Sequence, residues 1–133
     1  SWYNSDLGDD YVEVDLGGQH VWLHIGGEVV VSTDCVSGLA SDPARRTPSG
    51  TYTLYYKESP SVLKGENNEY ETKVTYWMPF NGGIGLHDAS WRSAFGGGIY
   101  QSDGSHGCIN LPSAKAKEIY EYVYDGIPVI CYY

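Results

Sequence analysis

No apolar run in this sequence approaches the ~18 residues that a membrane-spanning helix needs. No basic, apolar leader stands at its start, which is Ser1, so a signal peptide is expected to have been removed or never to have been present. Positive charge is scarce: 8 Lys and Arg stand against 17 Asp and Glu, a net charge of -9. That balance argues against a nucleic-acid backbone or an anionic membrane surface as partner. Internal repeats, low-complexity tracts and linkers are also missing, and 133 residues suit one domain. Cysteine is sparse and odd in number, with 3 in the chain. Cys35 and Cys131 are able to pair if the protein is exported, leaving Cys108 free; the alternative is three unpaired thiols, two of them buried.

What is present is tyrosine and glycine. The 13 Tyr and 4 Trp far outweigh the 2 Phe, and 17 Gly and 6 Pro add many turn signals, the composition of a turn-rich β protein. Alternation predicts strands over 11–16 and 21–25, with Gly26-Gly27 turning the second into a third over 28–33. Residues 34–49 read as a loop, 51–56 as a strand, 57–68 as a loop, 70–78 as a strand and 84–86 as a short apolar strand after Gly82-Gly83. Pro112 opens a helix whose apolar face is Ala116, Ile119, Tyr120 and Val123, with Gly126 as its stop and a final strand over 128–133. The fold class is therefore mostly β, a mixed β-sandwich or flattened barrel with one main α-helix near 112–125.

Chemistry-bearing residues crowd between His87 and Asn110: His87, Asp88, Ser105, His106, Gly107, Cys108 and Asn110. A cysteine nucleophile needs a thiolate, and a free thiol ionises only near pH ~8.5. His87 and His106 are the available bases, and a helix beginning near Pro112 is placed to aim its positive end at Cys108. Gly107 permits a tight turn that presents the 106–108 amides to an oxyanion. Two other readings stay open on residues alone: Cys108 as a buried apolar residue, and a zinc site from His87, His106 and Cys108, which lacks paired ligand spacing.

Ser105-His106-Gly107-Cys108-Ile109-Asn110 resembles the S/T-H-G-C-x-N signature of the L,D-transpeptidase catalytic domain, the YkuD family. His87 fits the histidine that the family pattern places upstream. Gly82-Gly83-Ile84-Gly85-Leu86-His87-Asp88 is similar to the glycine-rich strand entering that histidine, and Thr47-Pro48-Ser49-Gly50-Thr51-Tyr52 to the family's T-P-x-G-x-Y turn. The resemblance spans nearly the whole chain. It implies one catalytic domain over 1–133, cut from a longer extracytoplasmic protein of the bacterial cell wall, acting on peptidoglycan stem peptides without metal or organic cofactor.

By the same resemblance, Cys108 is the nucleophile, His87 the base, and the Asp88 carbonyl the group that orients its ring; the Asp88 side chain need not take part, its plain reading being a surface carboxylate. The amides of His106, Gly107 and Cys108 form the oxyanion hole, while Ser105 and His106 shape the loop. Asn110 holds substrate or caps the helix. Gly82 and Gly83 let the donor lie against backbone, or simply turn the chain. By position rather than resemblance, Tyr76 and Met78 share a face just upstream of the Gly pair and are placed to line the donor cleft, a core role for Met78 being equally open. Carbapenem β-lactams are implied as inhibitors. Residues 91–98 form a flap or a plain loop, and His20, Trp22 and His24 a sheet surface. Water as acceptor would make the same site an L,D-carboxypeptidase. A non-catalytic wall-binding module, or a sortase-like or papain-like enzyme, is disfavoured by the intact Cys–His pair and by the signature.

Overall fold

The computed structural model describes residues 8–65 and 71–133. In chain order the elements are β1 (Tyr11–Asp15), β2 (His20–Ile25), β3 (Glu28–Asp34), β4 (Gly50–Thr53), β5 (Ser61–Lys64), β6 (Glu71–Val74), β7 (Trp77–Asn81), β8 (Ile84–Asp88), α1 (Ile99–Ser102), β9 (Ile109–Leu111), α2 (Ser113–Tyr122) and β10 (Pro128–Tyr132). They form a five-stranded sheet ordered β3-β2-β1-β10-β4, a β5–β6 hairpin and a three-stranded sheet ordered β7-β8-β9. The protein is thus mostly β with separate sheets, and no barrel closes among the described residues.

The first hairpin follows from its glycines: Gly26 and Gly27 hold φ of 62° and 82°, the twin positive angles of a tight two-residue turn. The expected core face of β1 is realised, since Val12, Val14 and Leu16 are fully buried together with Val21 and Leu23 of β2. From the other sheet Met78, Phe80, Leu86, Ile109 and Leu111 join the same core. Helix α2 closes it with Ala116 and Ile119, packing against β8 and β3.

Several expectations need correction. The helix ends at Tyr122 with Val123 as its cap; Gly126 (φ 89°) lies beyond, its amide donating to the Leu54 carbonyl in the turn toward β10. The expected loop over 57–68 contains strand β5, whose half-exposed residues, two polar and two apolar, pair with β6 rather than bury a face. The strand expected over 70–78 is two strands, broken at Thr75 and Tyr76, whose amides leave the ladder for the Asp88 carboxylate. Tyr70 and the Asn67-Asn68 signal lie outside the described residues. Nor are His20, Trp22 and His24 one exposed face: His24 is buried, stacked on Tyr11 at 4.1 Å and bonded to Glu13. Cys35 and Cys131 are buried free thiols, and no disulfide joins them.

Candidate active site

The site grows from the parallel pairing of β8 with β9, in register Leu86↔Ile109, His87↔Asn110 and Asp88↔Leu111. Alternate residues of a strand face opposite ways. Leu86, Ile109 and Leu111 face the core, so His87 and Asn110 share the other face. One residue back, Cys108 arrives beside Gly85, and the long connection between the strands has brought the thiol and His87 to one cavity. Gly85 is a position that sequence reasoning passed over within its motif. A Cβ there would come within 2.6 Å of the Met78 carbonyl oxygen and of Pro79 Cα, so only glycine admits the close approach of β7. Its amide also donates toward the Cys108 sulfur.

The protonation of the pair follows from the hydrogen bonds. His87 Nδ1 lies 2.7 Å from the Asp88 carbonyl oxygen, and a carbonyl only accepts. Nδ1 therefore carries the proton, and the neutral ring keeps its lone pair on Nε2. Burial, with Trp77 and Trp91 at ring-centroid distances of 6.0 and 5.9 Å, pushes the imidazole pKa down; the Asp88 carbonyl and carboxylate oppose this, and the nearby Arg92 adds to it. The Cys108 thiol moves the opposite way to the sequence expectation. Burial pushes it up to about 11, offset only in part by the Gly85 amide. Helix α2 begins at Ser113, beyond Pro112 and the whole of β9 from the sulfur. The Sγ–H instead points to the Gly83 carbonyl at 3.5 Å. The resting pair is thus a neutral thiol and a neutral imidazole, the state suited to general-base catalysis.

The loop before Cys108 is held from both sides. Ser105 Oγ donates to the Cys108 carbonyl at 2.5 Å and accepts the Gly107 amide at 3.1 Å. Gly107 takes φ of 131°, a conformation that favours glycine. Its carbonyl accepts from Thr47 Oγ1 at 2.6 Å, and Thr47 Oγ1 accepts in turn from the Gly38 amide at 2.9 Å. Arg45 adds donors to the carbonyls of Gly104 and Ser105. The Gly107 amide is therefore engaged inside the loop rather than offered to an oxyanion.

A family model described as the L,D-transpeptidase catalytic domain matches residues 9–131. The chain belongs to this family. Among solved structures, it is 41% identical to a cysteine-to-serine mutant of the Enterococcus faecium L,D-transpeptidase, with a TM-score of 0.88 over 95% of this chain and 50% of that one. The catalytic domain of E. faecium L,D-transpeptidase acylated by ertapenem is 41% identical, with a TM-score of 0.82 over 93% of this chain and 97% of that one. An L,D-transpeptidase from Mycobacterium smegmatis is 25% identical, with a TM-score of 0.78 over 94% of this chain and 59% of that one. The chain spans about half the length of the E. faecium crystallographic chain. No curated protein sequence matches it.

Within this L,D-transpeptidase fold the remaining residues find their places. Cys108, His87, Ser105, His106 and Asn110 all line one cavity of about 110 Å³. Leu63 and Thr72 of the β5–β6 hairpin close it on one side and Trp91 and Arg92 on another. Asn110 does not cap α2, whose N-terminus has no side-chain cap; its Oδ1 is buried in the cavity wall without a partner among the described residues. The Asp88 side chain is no surface carboxylate. It is buried and accepts the Thr75 amide at 2.9 Å and the Tyr76 amide at 2.8 Å, pinning the break between β6 and β7. Tyr76 packs on Tyr120 at 5.0 Å, away from the cavity, and Met78 belongs to the core. Gly82 (φ 57°) turns the chain between β7 and β8, while Gly83 faces the thiol with its carbonyl. The 91–98 segment is tied down, since the Gly96 amide donates to the Cys35 carbonyl at 2.9 Å. Among the described residues no group of three or more His, Cys, Asp or Glu is gathered to hold a metal. Gly85, Arg45 and Arg92 are the site neighbours that sequence reasoning left without a role. The first two became visible only through the β7–β8 register and the packing of the 38–47 loop.

Proposed function

We propose that this domain is a cysteine-dependent L,D-transpeptidase acting on peptidoglycan stem peptides outside the cytoplasm. The observation that carries the reading is the His87–Asp88 carbonyl bond, because it leaves an unprotonated Nε2 on a ring that lines the same cavity as the Cys108 thiol. Nε2 takes the Sγ proton as sulfur attacks the carbonyl between residue three and the terminal D-Ala of a tetrapeptide donor. The Cys108 amide, at the turn into β9, is the oxyanion donor we assign, since the Gly107 amide is held by Ser105. The tetrahedral intermediate collapses as the imidazolium protonates the leaving amine, and a thioester remains. The side-chain amine of residue three on a second stem then attacks the thioester and gives its proton to Nε2. Collapse returns the proton to sulfur and leaves the cross-link. Asn110 Oδ1 accepts a donor-peptide N–H at the cavity wall. No cofactor is required for this chemistry.

The E. faecium domain that this chain resembles is acylated by ertapenem. The same thiol here is expected to open a carbapenem ring and retain it as an ester of sulfur. Intact-protein mass spectrometry after incubation with a disaccharide-tetrapeptide tests the reading. Loss of D-Ala with dimer formation is expected, and Cys108→Ala should lower the rate by ~10⁴-fold or more. Loss of D-Ala without dimer at saturating acceptor would move the assignment to a carboxypeptidase. Full turnover by the Cys108→Ala variant would sink both.

A further inference from the structure

Two buried side-chain polar atoms lack a hydrogen-bond partner among the described residues, Arg92 Nε and Asn110 Oδ1, and both residues line the cavity that holds Cys108. Folded proteins satisfy nearly all such atoms, so two exceptions converging on one cavity point to groups that a ligand brings. Asn110 Oδ1 accepts only, whereas Arg92 Nε donates only and carries positive charge. That charge is felt within the site, since it disfavours protonation of His87. Within the protein it is poorly answered. Arg92 Nη1 lies 3.6 Å from Asp103, whose side chain is 84% exposed, and such a loose, solvated pair contributes little. Arg92 and Trp91 also line a second concavity beside the catalytic one, walled by Ser93, Ala94, Ile99 and the exposed Asp103.

We propose that Arg92 is the residue that selects the donor by binding the α-carboxylate of its departing C-terminal amino acid, whose side chain enters the Ser93–Ala94–Ile99 concavity. The inference rests on the donor chemistry proposed above. The leaving residue is the last of the stem, so its carboxylate stands one carbon from the scissile nitrogen and must lie beside the attacked bond. A planar guanidinium matches a carboxylate in two parallel bonds. A stem extended past this residue would present a neutral amide there and leave a partly buried cation unpaired, so the site acts on chain ends. Pairing also offsets the positive charge that disfavours a proton on His87, at the step where His87 must take one from sulfur. Once the amino acid departs, the guanidinium is vacant, and acyl transfer to the acceptor does not use it.

The test compares kcat/KM for release of the terminal residue from a free-acid tetrapeptide donor and from its C-terminal carboxamide. Wild type should prefer the acid by about 10- to 100-fold. Arg92→Gln should bring the two within about twofold, and Arg92→Lys, which keeps charge but not the planar fork, should retain part of the preference. A purely structural Arg92 would slow both donors alike and leave the ratio unmoved, and that result overturns the proposal. Equal use of both donors by wild type would overturn it without any variant while leaving the transpeptidase reading intact. Wild type that releases nothing from either donor overturns both.

Discussion

His87 and His24 are both buried, both lie on strands next to aromatic rings, and both make one short hydrogen bond, yet only His87 borders the cavity that holds a thiol and is the base we propose. His24 sits within the five-stranded sheet. Its Nε2 meets Glu13 Oε1 at 2.8 Å, its ring is stacked on Tyr11, and the other Glu13 oxygen accepts the Tyr132 hydroxyl at 2.6 Å. His87 spends its bond on a carbonyl, which fixes the tautomer without adding a second charge, and its ring borders a cavity with a thiol across it. His24 uses Nε2 on a carboxylate inside the sheet and lines no cavity with a thiol, whereas His87 uses only Nδ1 and leaves Nε2 for the cavity that holds Cys108.

Substitution separates the two. His87→Ala should cost roughly 10²- to 10⁴-fold in acylation, the range for losing a general base, while the fold persists. His24→Ala should leave the acylation rate per folded molecule within about twofold. It should lower stability by about 3 kcal/mol, because it strands a buried carboxylate with the Tyr132 hydroxyl as its remaining partner. Acyl-enzyme formation by mass spectrometry and denaturant melts read the two effects apart. A His24 variant that is stable but slow would break the distinction.

The pH profile is the next discriminator. Since burial lowers the His87 pKa, acylation should rise about tenfold per pH unit through a midpoint below the ordinary histidine value of about 6.5, then level off. The plateau should run well into alkaline solution, because the Cys108 thiol is pushed up to about 11. Stability follows with a definite sign. On acidification the unfolded chain binds the His87 proton first, so the contribution present above pH ~6.5 is lost as pH falls through the folded-state pKa. A midpoint above 6.5 would mean that burial does not govern the His87 ring, and an alkaline fall in rate would mean a preformed thiolate–imidazolium pair instead of a neutral one.

The same contrast shows what could be read in the chain. That Cys108 and His87 would meet in one cavity, the Ser105–Asn110 loop and the apolar faces of β1, β2 and α2 are written in local patterns, and local patterns survive in sequence. The role of Asp88 was legible only at its backbone. Its carboxylate reaches Thr75 and Tyr76 across a strand break that no period reveals. Strand β5 escaped because its four residues set their two apolar side chains, Val62 and Leu63, next to each other and so have no hydrophobic alternation to show. The raised thiol pKa escaped as well. Residue types near Cys108 argued for a thiolate, but burial depends on how the folded chain encloses the sulfur, and desolvation there outweighs the one amide, from Gly85, that favours charge. His24 escaped for the converse reason, since alternation placed it on the outer face of β2 while Tyr11 and Glu13 bury that face locally.

The smallest expected effect tests whether the loop that carries Cys108 is held rigid from outside the catalytic pair. Thr47 Oγ1 accepts from the Gly38 amide and donates to the Gly107 carbonyl, so one hydroxyl ties the 38–47 loop to the residue before the nucleophile. Thr47→Val preserves shape and removes both bonds, leaving a buried amide and a carbonyl unmet at a cost of about 1–3 kcal/mol. Freed from that anchor, the Gly107 peptide can rotate, and the Cys108 amide at the oxyanion position turns with it. Acylation should then slow by about tenfold with the pH midpoint unchanged, because the base is untouched. A Thr47→Val enzyme with a shifted midpoint would show that the loop acts through His87, and one with wild-type rates would show that Ser105 and Arg45 alone suffice to hold the turn.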